Sequence, residues 1–235
     1  MQTPQLKIFE LRIKVFLYSS IPCGDALGVV ARFIDETLAK DPKYLEYHKQ
    51  NTYKYTFGSL FPIEREHVYK KETVYQFTLR TCDFHLAEYL LNQLPQGNTE
   101  WMKGLVGEVR VIPERHIATL YSLTPVIVKS KEKGYWRDDL SLVDFERRLK
   151  ENLVKKYNLL TGQKMDEDFG LYTLLEFKNK CPVAMPYKGI RLLGDKIQLQ
   201  IADNPQAQTL ARVAIAEGLC EMNARGAGFV SYHFS

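Results

Sequence analysis

Apolar and polar residues in the first half of the chain follow patterns that change from strand to helix and back. Residues 6–18 alternate between the two classes, with Leu11 and Val15 on one face, which predicts a half-buried strand. Residues 25–38 carry apolar side chains at helical spacing, and Asp25 is the predicted N-cap. The same reasoning predicts a strand at 72–79, a helix at 83–94 opening on Asp83, and a strand or bent hairpin at 101–112.

The second half repeats this order of elements. The patterns predict a strand at 117–129, a long helix at 140–160, strand-like segments at 169–178 and 188–201, a helix at 205–217 and a last strand from Phe229. The predicted inner face of the long helix consists of Val143, Leu149, Leu153 and Tyr157. Gly194-Asp195 is interpreted as a tight hairpin turn within 188–201.

Each half therefore fits a β-α-β-β-α-β unit. We predict an α+β fold made of two tandem ferredoxin-like (RRM-like) domains, at residues 1–115 and 116–235, joined near 113–118. Tandem units of this kind are common in RNA-binding proteins, but a fold does not by itself give a function.

Composition adds a weak indication of a polyanionic partner. The chain has 235 residues, a net charge of +4 and a sequence pI of about 8.7, so it is mildly basic. Tyrosine is abundant, at 14 residues, and an exposed tyrosine beside a lysine can stack on an unpaired base.

The four cysteines do not suggest a metal site. None forms a C-x-x-C pair, and no histidine lies at zinc-finger spacing from one, so no metal or cofactor is expected. The N-terminus begins directly with a strand-like pattern, and no apolar run approaches the roughly 18–20 residues that span a bilayer. We expect a cytoplasmic protein with free thiols and no membrane partner.

The most informative segment is the glycine-rich stretch 218–228 before the last strand. Three glycines surround a polar cluster, and such a loop suits phosphate binding because its backbone N–H groups can face an anion. The residues are Gly218, Glu221, Asn223, Arg225, Gly226 and Gly228. On glycine spacing alone, a tight connection into the last strand is the favoured interpretation.

This stretch resembles the glycine-rich loop of the CRISPR-associated RAMP proteins, specifically the endoribonucleases that cut CRISPR repeat transcripts into guide RNAs. Their loop reads roughly G-x-G-E-K-N-S-x-G-x-G-h-h, where h is apolar. The matching positions here are Gly218, Glu221, Asn223, Gly226, Gly228, Phe229 and Val230. Cys220 replaces the second glycine and Met222 replaces the lysine, while Arg225 offers another positive charge.

Two further segments resemble the same family, in the right order. The family's Y-L-H and K-x-F-T-F-S-x-L-F segments are similar to Tyr44-Leu45, His48 and residues 54–61. Its S-P-x-x-V segment, which opens the second half, is similar to residues 122–128. The resemblance thus covers both halves of the chain.

The resemblance implies RNA cleavage without a metal. The 2′-OH attacks the adjacent phosphate and leaves a 2′,3′-cyclic phosphate and a 5′-OH, which requires a base, an acid and a positive charge. The family position of the catalytic histidine is His48, and Lys54 is the candidate for charge stabilisation, with Lys49 as its rival. Some members of the family use a tyrosine in the first helix, and the matching position here is Ala31. Either Tyr47 or Tyr53 therefore acts as the general acid, or no residue fills that role.

RNA binding is expected to use basic residues of the second half as well as the loop. The candidates are Lys49, Tyr53, Lys129, Lys131, Arg137 and the loop residues, whereas Arg147, Arg148, Lys155 and Lys156 are interpreted mainly as a solvated helix face. The implied partners are CRISPR repeat RNA, other CRISPR effector subunits and a second copy of the chain. The alternative function is a non-catalytic RNA-binding subunit of a CRISPR effector complex.

Overall fold

The first half forms one antiparallel sheet covered on one face by helices. A computed structural model describes residues 6–45, 53–130 and 134–235. The strands of this sheet and the helices that cover it are β1 (Ile8–Leu17), α1 (Ala26–Leu38), β3 (Thr56–Phe57), β5 (Val74–Thr81), α2 (Phe84–Gln93) and β6 (Met102–Ile112). Two short strands, β2 (Ile21–Pro22) and β4 (Val68–Tyr69), form a small separate sheet. The strand order β3-β5-β1-β6 is that of a ferredoxin-like unit.

The second half repeats this topology. Its elements are β7 (Ile117–Ser122), the single-turn α3 (Trp136–Asp139), α4 (Leu142–Thr161), β8 (Tyr172–Phe177), β9 (Val183–Tyr187), β10 (Ile190–Gly194), β11 (Ile197–Ile201), α5 (Pro205–Glu217) and β12 (Val230–Phe234). The main sheet has the order β12-β7-β11-β8, which is the same arrangement of first, second, third and fourth strands. The prediction of two ferredoxin-like units is confirmed, and the domain limits 1–115 and 116–235 stay a prediction.

The two predicted N-caps differ. Asp83 caps α2, because its Oδ1 accepts a hydrogen bond of 3.1 Å from the backbone N–H of Leu86. Asp25 is the N-cap residue of α1, as predicted, but its backbone is in a helical conformation and its side chain makes no capping hydrogen bond. Helix α1 is held instead by its buried face, which includes Val30 and Ile34.

The predicted inner face of the long helix α4 is wrong at one of its four residues. Val143 is 71% exposed, and Phe145 takes the inner position that was assigned to it. Phe145, Leu149, Leu153 and Tyr157 lie four residues apart and are buried together. The helix begins with a capping box between Ser141 and Asp144.

Gly194-Asp195 is not a hairpin turn, which corrects the sequence interpretation. β10 pairs with β9, which the sequence patterns did not show, whereas β11 pairs with β7 and β8 in the main sheet. The hairpin turn lies at Lys188-Gly189, where both φ angles are positive (47° and 80°), as a two-residue type I′ turn requires. Asp195 is buried and pairs with Val126 through backbone hydrogen bonds of 2.8 and 3.2 Å.

The two halves share their cores. Ile8 and Ile112 of the first sheet pack into the apolar cluster of the second half, and Met185 and Ala227 pack into that of the first half. Arg212 of α5 donates hydrogen bonds to the carbonyl oxygens of Leu6 and Pro113. In the described part of the chain, no helix is both long and apolar enough to cross a bilayer.

Candidate functional site

A cleft of about 1430 Å³ lies between α1 of the first half and the glycine-rich loop, α4 and the β9–β10 hairpin of the second. Among the described lining residues, seven are basic and four are acidic, so the cleft suits a negatively charged ligand. The basic residues are Arg32, Lys54, Lys129, Lys155, Lys156, Lys188 and Arg225. Ala31, the position of the family's tyrosine, also lines the cleft.

The glycine-rich loop needs glycine at its two ends for steric reasons. Gly218 has a φ of 79°, and a Cβ there would lie 2.5 Å from Asn223 Nδ2. A Cβ on Gly228 would lie 2.1 Å from the carbonyl oxygen of Leu219. Between these ends, Cys220 and Met222 also have positive φ angles, of 52° and 63°. The loop therefore keeps a left-handed backbone even where this chain lacks the family's glycine.

Two side chains inside the loop fix its shape. Asn223 is 8% exposed, and its Nδ2 donates hydrogen bonds to the carbonyl oxygens of Leu219 (2.9 Å) and Ala227 (3.0 Å). Its Oδ1 accepts a 2.7 Å hydrogen bond from the ammonium group of Lys156, which comes from α4. Glu221 contacts the neighbouring segment, because its Oε2 accepts a 2.8 Å hydrogen bond from the backbone N–H of Lys129.

The tip of the loop presents backbone donors and one cation toward the cleft. The N–H groups of Met222, Asn223 and Ala224 make no hydrogen bond within the described residues, and all three residues line the cleft. Arg225 forms an ion pair with Asp35 of α1, and its guanidinium lies 5.8 Å from the ring centre of Tyr53.

A group of titratable residues lies at the base of the cleft. Glu217, the last residue of α5, is 4% exposed, and its Oε1 makes no hydrogen bond to the described residues. Burial raises the pKa of Glu217 to about 7, against the opposing effect of Lys156 and Lys54. Burial also lowers the pKa of Lys156 to about 8. The buried Tyr55 hydroxyl nearby has a raised pKa, because burial and Asp35 disfavour its anion.

The structure brings together some of the predicted site residues. Tyr53, Lys54, Lys129, Glu221, Asn223 and Arg225 all line the cleft. Gly218, Gly226 and Gly228 are buried in the body of the loop. Tyr47, His48, Lys49 and Lys131 lie outside the described residues.

Arg137 lies apart from this group. It pairs with Asp195 at 3.2 Å, and its guanidinium stacks over the ring of Phe177 at 4.4 Å. It is not among the described residues that line the cleft. The expected contact of Arg137 with RNA would therefore lie on a surface outside this cleft, and it stays a prediction.

Two residues at the base of the cleft were not evident from the sequence pattern. Lys156 was interpreted as part of a solvated face, but its ammonium is enclosed by four oxygen atoms. Glu217 was not singled out at all. Its position directly before Gly218 could have indicated a role, because a charged residue at the end of an otherwise apolar helix face requires a partner when it is buried. The hairpin residues Tyr187 and Lys188, which also line the cleft, were missed because β9 was not predicted.

The described residues contain no group of three or more histidine, cysteine, aspartate or glutamate side chains that could hold a metal ion. The described lining of the cleft supplies hydrogen-bond donors and positive charge to a ligand.

Comparison with known proteins agrees with this arrangement. The family described as "CRISPR associated protein Cas6, C-terminal" matches residues 108–232. No curated protein sequence was found to match the chain.

Solved structures show the same fold over nearly the whole chain. A structure described as "An RAMP protein binding different RNA substrates" is 16% identical, with a TM-score of 0.69 over 96% of this chain and 99% of that one. A Cas6-related protein of Pyrococcus furiosus is 15% identical, with a TM-score of 0.67 over 96% and 98%. Cas6 of Thermus thermophilus is 15% identical, with a TM-score of 0.61 over 98% and 100%.

The family match covers more than half of the chain, including the glycine-rich loop, and the structural likeness covers both halves. The chain belongs to the Cas6 family of CRISPR-associated proteins.

Proposed function

We propose that this protein is a metal-independent endoribonuclease that cuts CRISPR repeat transcripts into guide RNAs. Processing of CRISPR RNA is the role associated with the Cas6 family. The observation that carries the proposal is the basic cleft, in which Lys54 and the glycine-rich loop lie together. The loop would hold the RNA backbone through its N–H groups and Arg225. Asn223 is assigned to building the loop, since its amide is already engaged inside it.

The proposed chemistry is attack by the RNA's own 2′-OH on the adjacent phosphate. His48 would accept the 2′-OH proton, and Lys54 would stabilise the charge that develops on the phosphate oxygens. The products would be a 2′,3′-cyclic phosphate and a 5′-OH. The reaction would take place in the cytoplasm, on repeat RNA alone or with other CRISPR effector subunits bound.

One observation favours the second candidate, a non-catalytic RNA-binding subunit. Ala31 lines the cleft at the position where the resemblance places a tyrosine, and a methyl group can neither donate nor accept a proton. If no other group supplies the acid, the protein holds RNA without cutting it. Tyr53, which also lines the cleft, is the described alternative for this role.

Cleavage of a repeat RNA from the CRISPR array of the same genome tests the proposal. We expect cutting in EDTA, and a single 2′-deoxy substitution at the cleaved position should abolish it while leaving binding intact. Tight binding with no cleavage by the wild-type protein would establish the scaffold function instead.

Variants separate the two proposed catalytic roles. His48→Ala and Lys54→Ala should each slow single-turnover cleavage by roughly 10²–10⁴-fold. Lys155→Ala, which removes a cleft charge that has no proposed role in the chemistry, should change binding more than the cleavage rate. Unchanged cleavage by His48→Ala would remove that residue from the mechanism.

A further inference from the structure

The ammonium group of Lys156 is enclosed by oxygen atoms of the glycine-rich loop. It donates to the carbonyl oxygens of Gly218 (2.7 Å) and Cys220 (3.0 Å) and to Asn223 Oδ1 (2.7 Å). A fourth, longer contact reaches the carbonyl oxygen of Glu217 at 3.3 Å. An ammonium has three N–H donors and a neutral amine has two, so this set of acceptors requires the charged form.

These contacts determine the shape of the loop. The carbonyl groups of Gly218 and Cys220 point toward the Lys156 ammonium on α4. Because Lys156 occupies Asn223 Oδ1, the Asn223 amide is oriented with its Nδ2 toward the carbonyl oxygens of Leu219 and Ala227. One side chain from α4 thus holds the first part of the loop and Asn223 directly, and it affects the last part of the loop through the Asn223 amide.

The partly buried ammonium needs a countercharge, and Glu217 supplies it above about pH 7, where its carboxyl group is ionised. The carboxylate of Glu217 is buried at the end of α5, beside Lys156, and its Oε1 has no hydrogen-bond partner among the described residues. The charged or titratable groups that act on Glu217 are Lys156 of α4, Lys54 before β3, and Asp83 and Cys82 before α2. Those that act on Lys156 are Glu217, Cys220 and Glu221.

We infer that Lys156 is a positioning residue whose charged ammonium, balanced by Glu217, holds the glycine-rich loop in the conformation that receives RNA. This inference rests on the proposed RNA-binding function of the loop. Loss of the Lys156 proton would leave two donors for four acceptors and release one side of the loop. RNA binding should therefore weaken as the pH rises past about 8, the value to which burial lowers the pKa of Lys156.

Hydrogen–deuterium exchange of the free, full-length protein tests the inference without RNA. In Lys156→Met, we expect exchange of the 218–228 backbone to increase by roughly ten-fold or more, because charge-assisted hydrogen bonds are lost. Lys155→Met is the matched control: it removes the neighbouring positive charge, which is exposed in the same cleft, and should leave loop exchange unchanged. Equal loop exchange in Lys156→Met and wild type would overturn the inference.

RNA binding provides the second measurement. With the repeat RNA as probe, Lys156→Met should bind at least roughly ten-fold more weakly, whereas Lys155→Met should lose only the contribution of one charge. Equal losses in the two variants would show that Lys156 acts only through its charge, against the inference.

Wild-type protein gives a test that does not depend on the folding of a variant. After correction for intrinsic exchange rates, loop protection should fall between pH 7 and 9, while protection of the core strands stays constant. Constant loop protection over this range would contradict the inference. If the loop responds as expected and the protein binds no repeat RNA, the proposed function fails and the assignment of Lys156 to the loop stands.

Discussion

Arg225 of the glycine-rich loop and Asp35 of α1 form an ion pair that joins the two halves of the chain across the cleft. About a fifth of the Arg225 side chain and a quarter of the Asp35 side chain remain exposed, so the pair is accessible to a ligand (21% and 25%). The same guanidinium can therefore hold the loop in place and face an RNA phosphate.

Substitution of each partner separates these two roles. Arg225→Gln should reduce the slope of log affinity against log salt for single-stranded RNA by about 0.7, because one phosphate contact is lost. Asp35→Asn keeps the arginine charge and should leave the slope unchanged or increase it. Both variants should lose about 1–3 kcal/mol of unfolding free energy in urea titrations, because each removes the hydrogen-bonded ion pair between these two partly buried side chains. Equal salt slopes in wild type and Arg225→Gln would mean that Arg225 does not contact phosphate.

Met222 occupies the loop position where the resembling family has a lysine, and it lines the cleft. Met222→Lys should strengthen binding of the repeat RNA at low salt and increase the salt slope by about 0.7. Met222→Gln has a similar length without the charge and should leave the slope as it is. Filter-binding titrations at several salt concentrations measure both effects, and a slope unchanged in Met222→Lys would place residue 222 away from the RNA backbone.

The raised pKa of Glu217 predicts a specific dependence of stability on pH. Because its pKa rises from 4.5 to about 7 on folding, the folded protein binds this proton more strongly than the unfolded chain between those values. The stabilising contribution of this proton to folding is complete below about pH 4.5 and is lost as the pH rises through about 7. Glu217→Gln removes it, so the stability difference between variant and wild type should change by on the order of 3 kcal/mol between pH 4.5 and 7.5.

Urea unfolding at several pH values measures this difference. Glu36→Gln on the exposed side of α1 serves as the control and should follow the wild-type pH dependence throughout. Parallel curves for Glu217→Gln and wild type would show that the carboxyl group titrates alike in the folded and unfolded chains.

Asp195 is a buried carboxylate that accepts hydrogen bonds from four side chains. The donors are the Tyr135 hydroxyl, Trp136 Nε1, the Arg137 guanidinium and Asn179 Nδ2. Asp195→Ala should destabilise the protein by about 3–5 kcal/mol, since it leaves these donors without an acceptor. Asp203→Ala, at a side chain that is 94% exposed, should change stability by less than about 0.5 kcal/mol. Thermal unfolding of both variants compares the two sites.

Long elements with a strong pattern were predictable from the sequence, and short elements between them were not. The alternation in β1 and the apolar stripe of α5 carry enough positions to determine the type of element. The β9 strand contains Pro186 and has only one buried residue, Met185, so its pattern resembles a loop. Because the pattern does not predict β9, the sequence interpretation pairs β10 with β11 and places the turn at Gly194-Asp195.

The site was predictable to the extent that it lies on the loop with a distinctive composition. The glycines and Arg225 are evident in the sequence, whereas the role of Lys156 depends on which residues α4 meets in three dimensions. Lys155 and Lys156 are adjacent and chemically identical, and only the packing of α4 against the end of α5 distinguishes an exposed charge from an enclosed one.

The position of α5 has a consequence for how this protein unfolds. Arg212 of that helix donates hydrogen bonds to backbone oxygens of Leu6 and Pro113, just before β1 and just after β6, where these two strands pair at one end of the first sheet. Ile8 and Ile112 of the same strands complete the core on which the helix rests. The two ferredoxin-like units are consecutive in the sequence, but neither is therefore expected to be stable without the other. A piece ending near Pro113 would expose Ile8 and Ile112 to water, so we expect the whole chain to melt in a single cooperative transition.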